Sequence, residues 1–182
     1  EKLPFKQTLV AIILLPTIIS PIVAGSIWRL MLDQRFGPIN QIIAWFAGGD
    51  VRLLWTVETA LVWPAILIAE VWQWTPFMFL LLLAALSNVD KEQLEAAQID
   101  GASWWMTFRR IVLPAIMPVM FIAVLIRALD LFRVFDVIWT MTQGGPGTFT
   151  ETISIYAYQM AFREFEISYS SAIAFLVIFL LT

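Results

Sequence analysis

Arg127, Asp130, Arg133 and Asp136 recur every three residues, with alternating sign, inside an otherwise apolar run at about 115–142. An unpaired charge at the centre of a helix in lipid costs roughly 2.5–3.5 kcal/mol, so four of them demand pairing. Residues three apart on a helix are neighbours, which predicts Arg127 with Asp130 and Arg133 with Asp136. Three residues also turn a helix by about 300°, so the row drifts around its surface, and some members face neighbouring helices while others face a cavity. One outcome is a self-neutralised ladder that fixes helix packing. The other is a set of hydrogen-bonding groups, Asp130 and Arg133 with Asp136 nearer the outer end, offered to a polar solute. Carboxylates and guanidinium groups suit hydroxyl-rich ligands, and aromatic rings stack on sugar faces, which brings Trp74 into the same candidate pathway. Glu70, in the preceding apolar run, is a further buried acid, with Arg29 and Arg127 as its available partners.

The elements that must position these groups are membrane helices. Hydrophobic residues make up 60% of the 182 and charged residues only 14%, and the mean hydropathy is +0.83. Eleven Lys/Arg and fourteen Asp/Glu cannot coat a soluble core of this size. A net charge of −3 argues against nucleic acid as a partner, which would need a clustered basic face. Cysteine and histidine are both absent, which removes disulfides, thiolate nucleophiles, histidine relays and the common zinc sites. No Gly-x-x-x-x-Gly-Lys-Ser/Thr loop is present to cradle phosphate, so the expectation is a transport subunit and not an enzyme.

Four apolar stretches, at about 8–32, 59–86, 115–142 and 168–182, predict four spans, the last truncated. The chain starts at Glu1 and stops at Thr182 within an apolar run, so residues 1–182 are expected to be one transmembrane domain, incomplete at both ends. Trp28, Trp45, Trp55 and Trp63 fall near span ends, where tryptophan anchors at the headgroup layer. Pro16, Pro21, Pro64, Pro76 and Pro118 predict kinks of use to a channel or transporter. Lys2, Lys6, Lys91, Arg109 and Arg110 outnumber Arg35, Arg52 and Arg163, which puts residues 1–7 and the loop 87–114 on the cytoplasmic side.

Within that loop, Asp90 reads as a helix N-cap, Gln93 as its capping-box partner and Gly101 as the stop, predicting a short helix of about ten residues outside the membrane. Leu94, Ala97 and Gly101 at three-to-four spacing give it a small-residue face on which another protein could sit closely. Asp100 lies where the helix dipole least favours a carboxylate, which points to a task other than stability. Glu95-Ala96-Ala97, Asp100-Gly101-Ala102, Phe108, Ile111, Leu113-Pro114 and Pro118 run without a gap in a pattern that resembles the cytoplasmic signature of the membrane subunits of binding-protein-dependent ABC importers. Gly37-Pro38-Ile39-Asn40, Trp72 to Pro76, Thr142-Gln143-Gly144-Gly145-Pro146 and Phe162-Arg163-Glu164-Phe165 are similar to the carbohydrate-uptake branch, the maltose- and glycerol-phosphate-type permeases. Ser168 departs from the glycine often found there.

The resemblance implies an all-α, polytopic bundle of the type I importer permease fold, set in the inner membrane of a prokaryote. It implies that the loop forms a coupling helix docking into cytoplasmic ATP-binding-cassette ATPase subunits, with Glu95 facing a basic partner and Gly101 allowing the turn. Ala96, Ala97, Asp100 and Ala102 complete that surface. The further partners implied are a second, related permease subunit, an extracytoplasmic solute-binding protein and the lipid bilayer; ATP and magnesium belong to the ATPase. An ion-coupled secondary transporter would also place acids inside spans, but does not require the loop signature. An intramembrane aspartyl protease needs two facing carboxylates, and Asp130 and Asp136 on one helix would stand about 240° apart.

Overall fold

Prolines and freed backbone groups decide where the helices of this chain break. The computed structural model describes residues 5–49 and 51–181, so Lys2 and the side chain of Lys6, which carry part of the charge bias, lie outside the described residues. Pro21 has no N–H and pushes Ser20 out of helical conformation, to φ −59° and ψ 141°. Helix α1 (Lys6–Ile18) and helix α2 (Pro21–Met31) consequently meet at 101°, and the single span expected at 8–32 is a bent pair. The carbonyl of Ile19, released at the bend, accepts a hydrogen bond of 2.7 Å from Nε2 of Gln73. After a turn comes α3 (Pro38–Ala47), followed by α4 (Thr59–Ser87), which runs for 29 residues through both Pro64 and Pro76.

On α4 the buried residues Val62, Ala65, Ile66, Ala69, Glu70, Gln73 and Pro76 return every three or four positions and form one inward stripe. Leu67, Ile68 and Val71 point away from it and are exposed. Helix α5 (Lys91–Ile99) follows. Then α6 (Trp104–Thr107), a π turn (Phe108–Val112) and α7 (Leu113–Phe132) run on as one helix of 29 residues, whose most apolar 18-residue stretch has mean hydropathy 2.4. The chain ends in α8 (Asp136–Met141), α9 (Ile153–Phe162) and α10 (Ile167–Leu181).

Among the described residues, two helices, Thr59–Ser87 and Trp104–Phe132, are long and apolar enough to cross a bilayer, and the bent α1–α2 pair makes a third if counted as one. The fourth expected span corresponds to α10, whose 15 residues fall short of the roughly 20 that a crossing needs. The run expected at 115–142 is also divided, because the helix stops at Phe132 and restarts at Asp136.

Helix α4 packs against α1, α2, α7 and α8, and the core forms where these meet. Leu32, Val62, Ile66 and Ala69 lie against Val137, Ile138, Met141 and Ile155. In lipid the alternative to this packing is hydrocarbon, so close fit and small residues hold the helices together more than the hydrophobic effect does. Gly25 shows the consequence: a Cβ there would run into the Thr140 hydroxyl and stand 3.3 Å from Cα of Val137, so glycine is what lets α2 cross α8 this closely. Two of the expected interface tryptophans are instead structural. Trp28 packs edge-on to Trp72 at 5.8 Å between ring centres, and Trp55 packs on the core while its Nε1 donates to Asn40 at 2.8 Å. Trp45, by contrast, is exposed.

Candidate functional site

The inward stripe of α4 carries Glu70 to α7, and there Arg127 Nη2 meets Glu70 Oε2 at 3.0 Å. Of the two partners available to Glu70, Arg127 is the one it takes; Arg29 instead donates to the Thr140 carbonyl at 3.3 Å. One turn beyond Glu70 on the same face, the ring of Trp74 lies beneath the Arg127 guanidinium, 4.2 Å from Cζ to the ring centre. One turn beyond Arg127, Asp130 approaches its Nη1 at 3.9 Å with Oδ2 and bonds Arg133 Nη2 at 3.0 Å with Oδ1. Four charges thus form one linked, net-neutral row, as two acids and two cations among apolar helices require. Side-chain exposure rises along it, from 7% at Glu70 through 13% at Arg127 and 28% at Asp130 to 67% at Arg133. The row opens into a cavity of about 200 Å³ whose walls include Pro21, Trp74, Phe135 and Asp136.

That cavity exists because the helix breaks. Arg133 caps α7 with φ −108° and ψ 17°, and Phe135 precedes α8 with φ −135° and ψ −57°. Backbone released in this way at membrane depth must be satisfied by protein or line a cavity. Here the Val134 carbonyl accepts a 3.0 Å hydrogen bond from Oγ1 of Thr152, and Phe135 stacks on Trp139 at 5.4 Å. The predicted pairing of Arg133 with Asp136 is therefore corrected: Asp136 opens a separate helix, and Arg133 reaches back one turn to Asp130. The separation about a single helix no longer distinguishes Asp130 from a protease carboxylate. What does so is its engagement with two arginines, which leaves no shared-proton pairing with Asp136.

In the loop at 87–114 the short helix forms as predicted at 91–99. Asp90 caps it by accepting from the N–H of Glu92 at 2.9 Å, one position earlier than a capping box would have it. At the other end Gly101 N–H bonds the Gln98 carbonyl at 3.1 Å and Ala102 N–H bonds the Ala97 carbonyl at 2.9 Å. This pair of bonds is a Schellman motif, and Gly101 supplies the positive φ, +68°, that the motif needs. The expected small-residue docking face is corrected in part. Ala97 is buried, and Leu94 packs against Ala85, Val89 and Ile116, so that side of α5 is turned onto this chain. Glu95, Ala96 and Asp100 stay exposed on the other sides. The loop set and the charge row do not meet: seventeen residues of α4 separate Ser87 from Glu70, about 25 Å of helix.

Sequence reading missed Gln73 as the group that satisfies the α1–α2 bend, and Asn40 as the hinge of the α3 loop, where it donates to the Leu53 carbonyl at 3.0 Å. The signal for Gln73 was present: a polar residue three after Glu70, on the same inward stripe as Val62, Ile66 and Ala69.

Residues 36–182 match the family described as binding-protein-dependent transport system inner membrane component. The chain is 41% identical over 158 residues to the trehalose/maltose transport system permease protein MalF of Thermococcus litoralis, covering 87% of this chain and 53% of that one. It is 46% identical over 112 residues to the trehalose transport system permease protein SugA of Mycobacterium tuberculosis, covering 62% of this chain and 36% of that one. The chain spans about half the length of the T. litoralis relative and of a probable ABC transporter permease of Sinorhizobium fredii. Its fold is similar to a chain in the crystal structure of a bacterial ABC transporter involved in the import of the acidic polysaccharide alginate. The TM-score is 0.87 at 22% identity, covering 99% of this chain and 64% of that one.

Proposed function

The chain belongs to the binding-protein-dependent transport system inner membrane components, and from that premise we propose that it forms half of an ATP-driven import pathway for a sugar or related polar solute. The observation that carries this reading is the neutral row from Glu70 to Arg133 opening into a cavity at a broken helix. Trp74 and Phe135 offer ring faces to a sugar, and Asp130, Arg133 and Asp136 offer hydrogen bonds to its hydroxyls. No group there needs to lose or gain a proton for a neutral solute to pass. The trehalose and maltose named for the relatives give the first solutes to try.

In this reading the membrane is the inner membrane of a prokaryote. The loop 87–114 is cytoplasmic, and α5 docks on an ATP-binding-cassette ATPase that holds ATP and magnesium. Glu95, Ala96 and Asp100 form its contact, and Ala97, Gly101 and Ala102 set its shape. A second permease subunit closes the pathway, and an extracytoplasmic binding protein delivers the solute.

The test is uptake of labelled trehalose and maltose into proteoliposomes containing the transporter assembled with its partners. Asp130→Asn is expected to lower uptake at least tenfold while leaving the subunits associated. Unchanged uptake would make the charge row a packing device and remove it from the pathway.

A further inference from the structure

The helix Trp104–Phe132 is longer than a membrane needs. Its 29 residues extend about 44 Å, against a hydrocarbon thickness of about 30 Å. The continuous apolar sequence starts at Ile111, so the excess lies at the beginning, in Trp104 to Arg110. That segment is built of two kinds of side chain. Phe108 stacks on Trp104 with centres 5.6 Å apart and on Trp105 at 5.8 Å, and the two tryptophans are 76% and 59% exposed. Arg109 and Arg110, the next two residues, are exposed and form no ion pair among the described residues. Behind Trp104 and Phe108, an open groove of about 580 Å³ runs against α5 and the end of α4, with Leu86, Leu94 and Val112 in its walls.

Rings with an apolar body and a polar edge settle at the headgroup boundary, and arginines at that depth meet lipid phosphates. Charge separates this surface from the neighbouring α5, where Asp90, Glu92, Glu95 and Asp100 outnumber Lys91 and repel an anionic headgroup. We propose that Trp104 to Arg110 and the groove behind it form a binding site for an anionic phospholipid. Arg109 and Arg110, which flank the groove without lining it, supply positive charge to its phosphate, the tryptophans lie against its glycerol region, and one acyl chain occupies the groove. A lipid, and not a free anion, fits because the groove is walled mainly by apolar side chains up to Val112, where the apolar helix α7 begins. The site depends on the helix being embedded, and stands or falls independently of which solute is carried.

The protein, purified in mild detergent with the subunits that accompany it and then delipidated, is titrated with dioleoyl phosphatidylglycerol, dioleoyl phosphatidylcholine and inorganic phosphate. Bound molecules are counted by native mass spectrometry. Phosphatidylglycerol is expected to bind saturably, with phosphatidylcholine much weaker and phosphate absent. Each arginine contributes about fivefold, the equivalent of about 1 kcal/mol per cation at an anionic surface, so Arg109→Gln with Arg110→Gln weakens binding about 30-fold. Arg109→Lys with Arg110→Lys keeps most of the affinity and guards against a folding defect in the first variant. Equal affinity for the two lipids, or an unchanged constant in the glutamine variant, overturns the site. So does a glutamine variant that sheds an associated ATPase while still binding lipid, because the surface would then belong to that subunit.

Discussion

Removing Glu70 while keeping Arg127 leaves a guanidinium that is only 13% exposed without its 3.0 Å partner. Breaking a buried pair by deleting one member costs about 3–5 kcal/mol, because the survivor stays desolvated. Arg127 has somewhere to turn, since the Asp130 oxygen at 3.9 Å is not the one that Arg133 uses, and closing that gap recovers part of the loss. Trp74 at 4.2 Å holds the guanidinium already and recovers nothing new. Glu70→Ala is therefore expected to cost about 2–4 kcal/mol. Glu70→Gln costs less, because an amide oxygen still accepts from Arg127. Glu70→Gln with Arg127→Gln removes both charges while keeping shape and one hydrogen bond, and should lose less than Glu70→Ala alone. Unfolding of the purified protein in mixed micelles, analysed as a double-mutant cycle, measures the coupling. A double variant that loses the full sum of the two single losses would show that the groups act independently, and the linked row would no longer explain how this membrane tolerates four charges.

Two predictions concern the loop. Gly101→Leu forces a side chain into φ +68°, a strain of about 1–3 kcal/mol that unravels the Schellman motif. Together with Glu95→Ala it is expected to reduce solute-stimulated ATP hydrolysis by the reconstituted complex to its basal rate while membrane insertion is retained, and full stimulation in both variants would refute the coupling role of α5. For topology, cysteines placed at Ser87 or Ser103 should resist an impermeant thiol reagent in intact cells while one at Thr148 reacts, and the reverse pattern would invert the membrane orientation.

Much of the site was legible because charge in an apolar run has few explanations. The spacing of the four charges predicted that they neutralise one another, though Arg133 pairs with Asp130 and not with Asp136, and Glu70 needed a cation for the same reason. The loop helix was legible from Asp90 and Gly101, two residues whose backbone roles are local. What escaped was tertiary. Nothing between Leu131 and Val137 has a proline or glycine to announce the break at 133–135. The break is stabilised from elsewhere, by Thr152 on the Val134 carbonyl and by the rings around Trp139. Pro64 and Pro76 erred in the opposite direction, since α4 absorbs both while Pro21 alone bends its helix sharply. Trp28 and Trp55 could not be told from interface anchors because the partners that bury them, Trp72 and Asn40, lie elsewhere in the chain.

The alternation of sign along the row has an electrical meaning. A transmembrane voltage does work on charge that moves across it, about 2.3 kcal/mol for each elementary charge per 100 mV. Glu70, Arg127, Asp130 and Arg133 sum to zero and are joined by contacts of 3.0 to 3.9 Å, so a rocking motion that carries them together feels almost no net force from the field. The membrane potential couples only weakly to a shared displacement of these four groups, and the row of charges that first suggests an electrical device instead contributes almost nothing to the charge the protein moves.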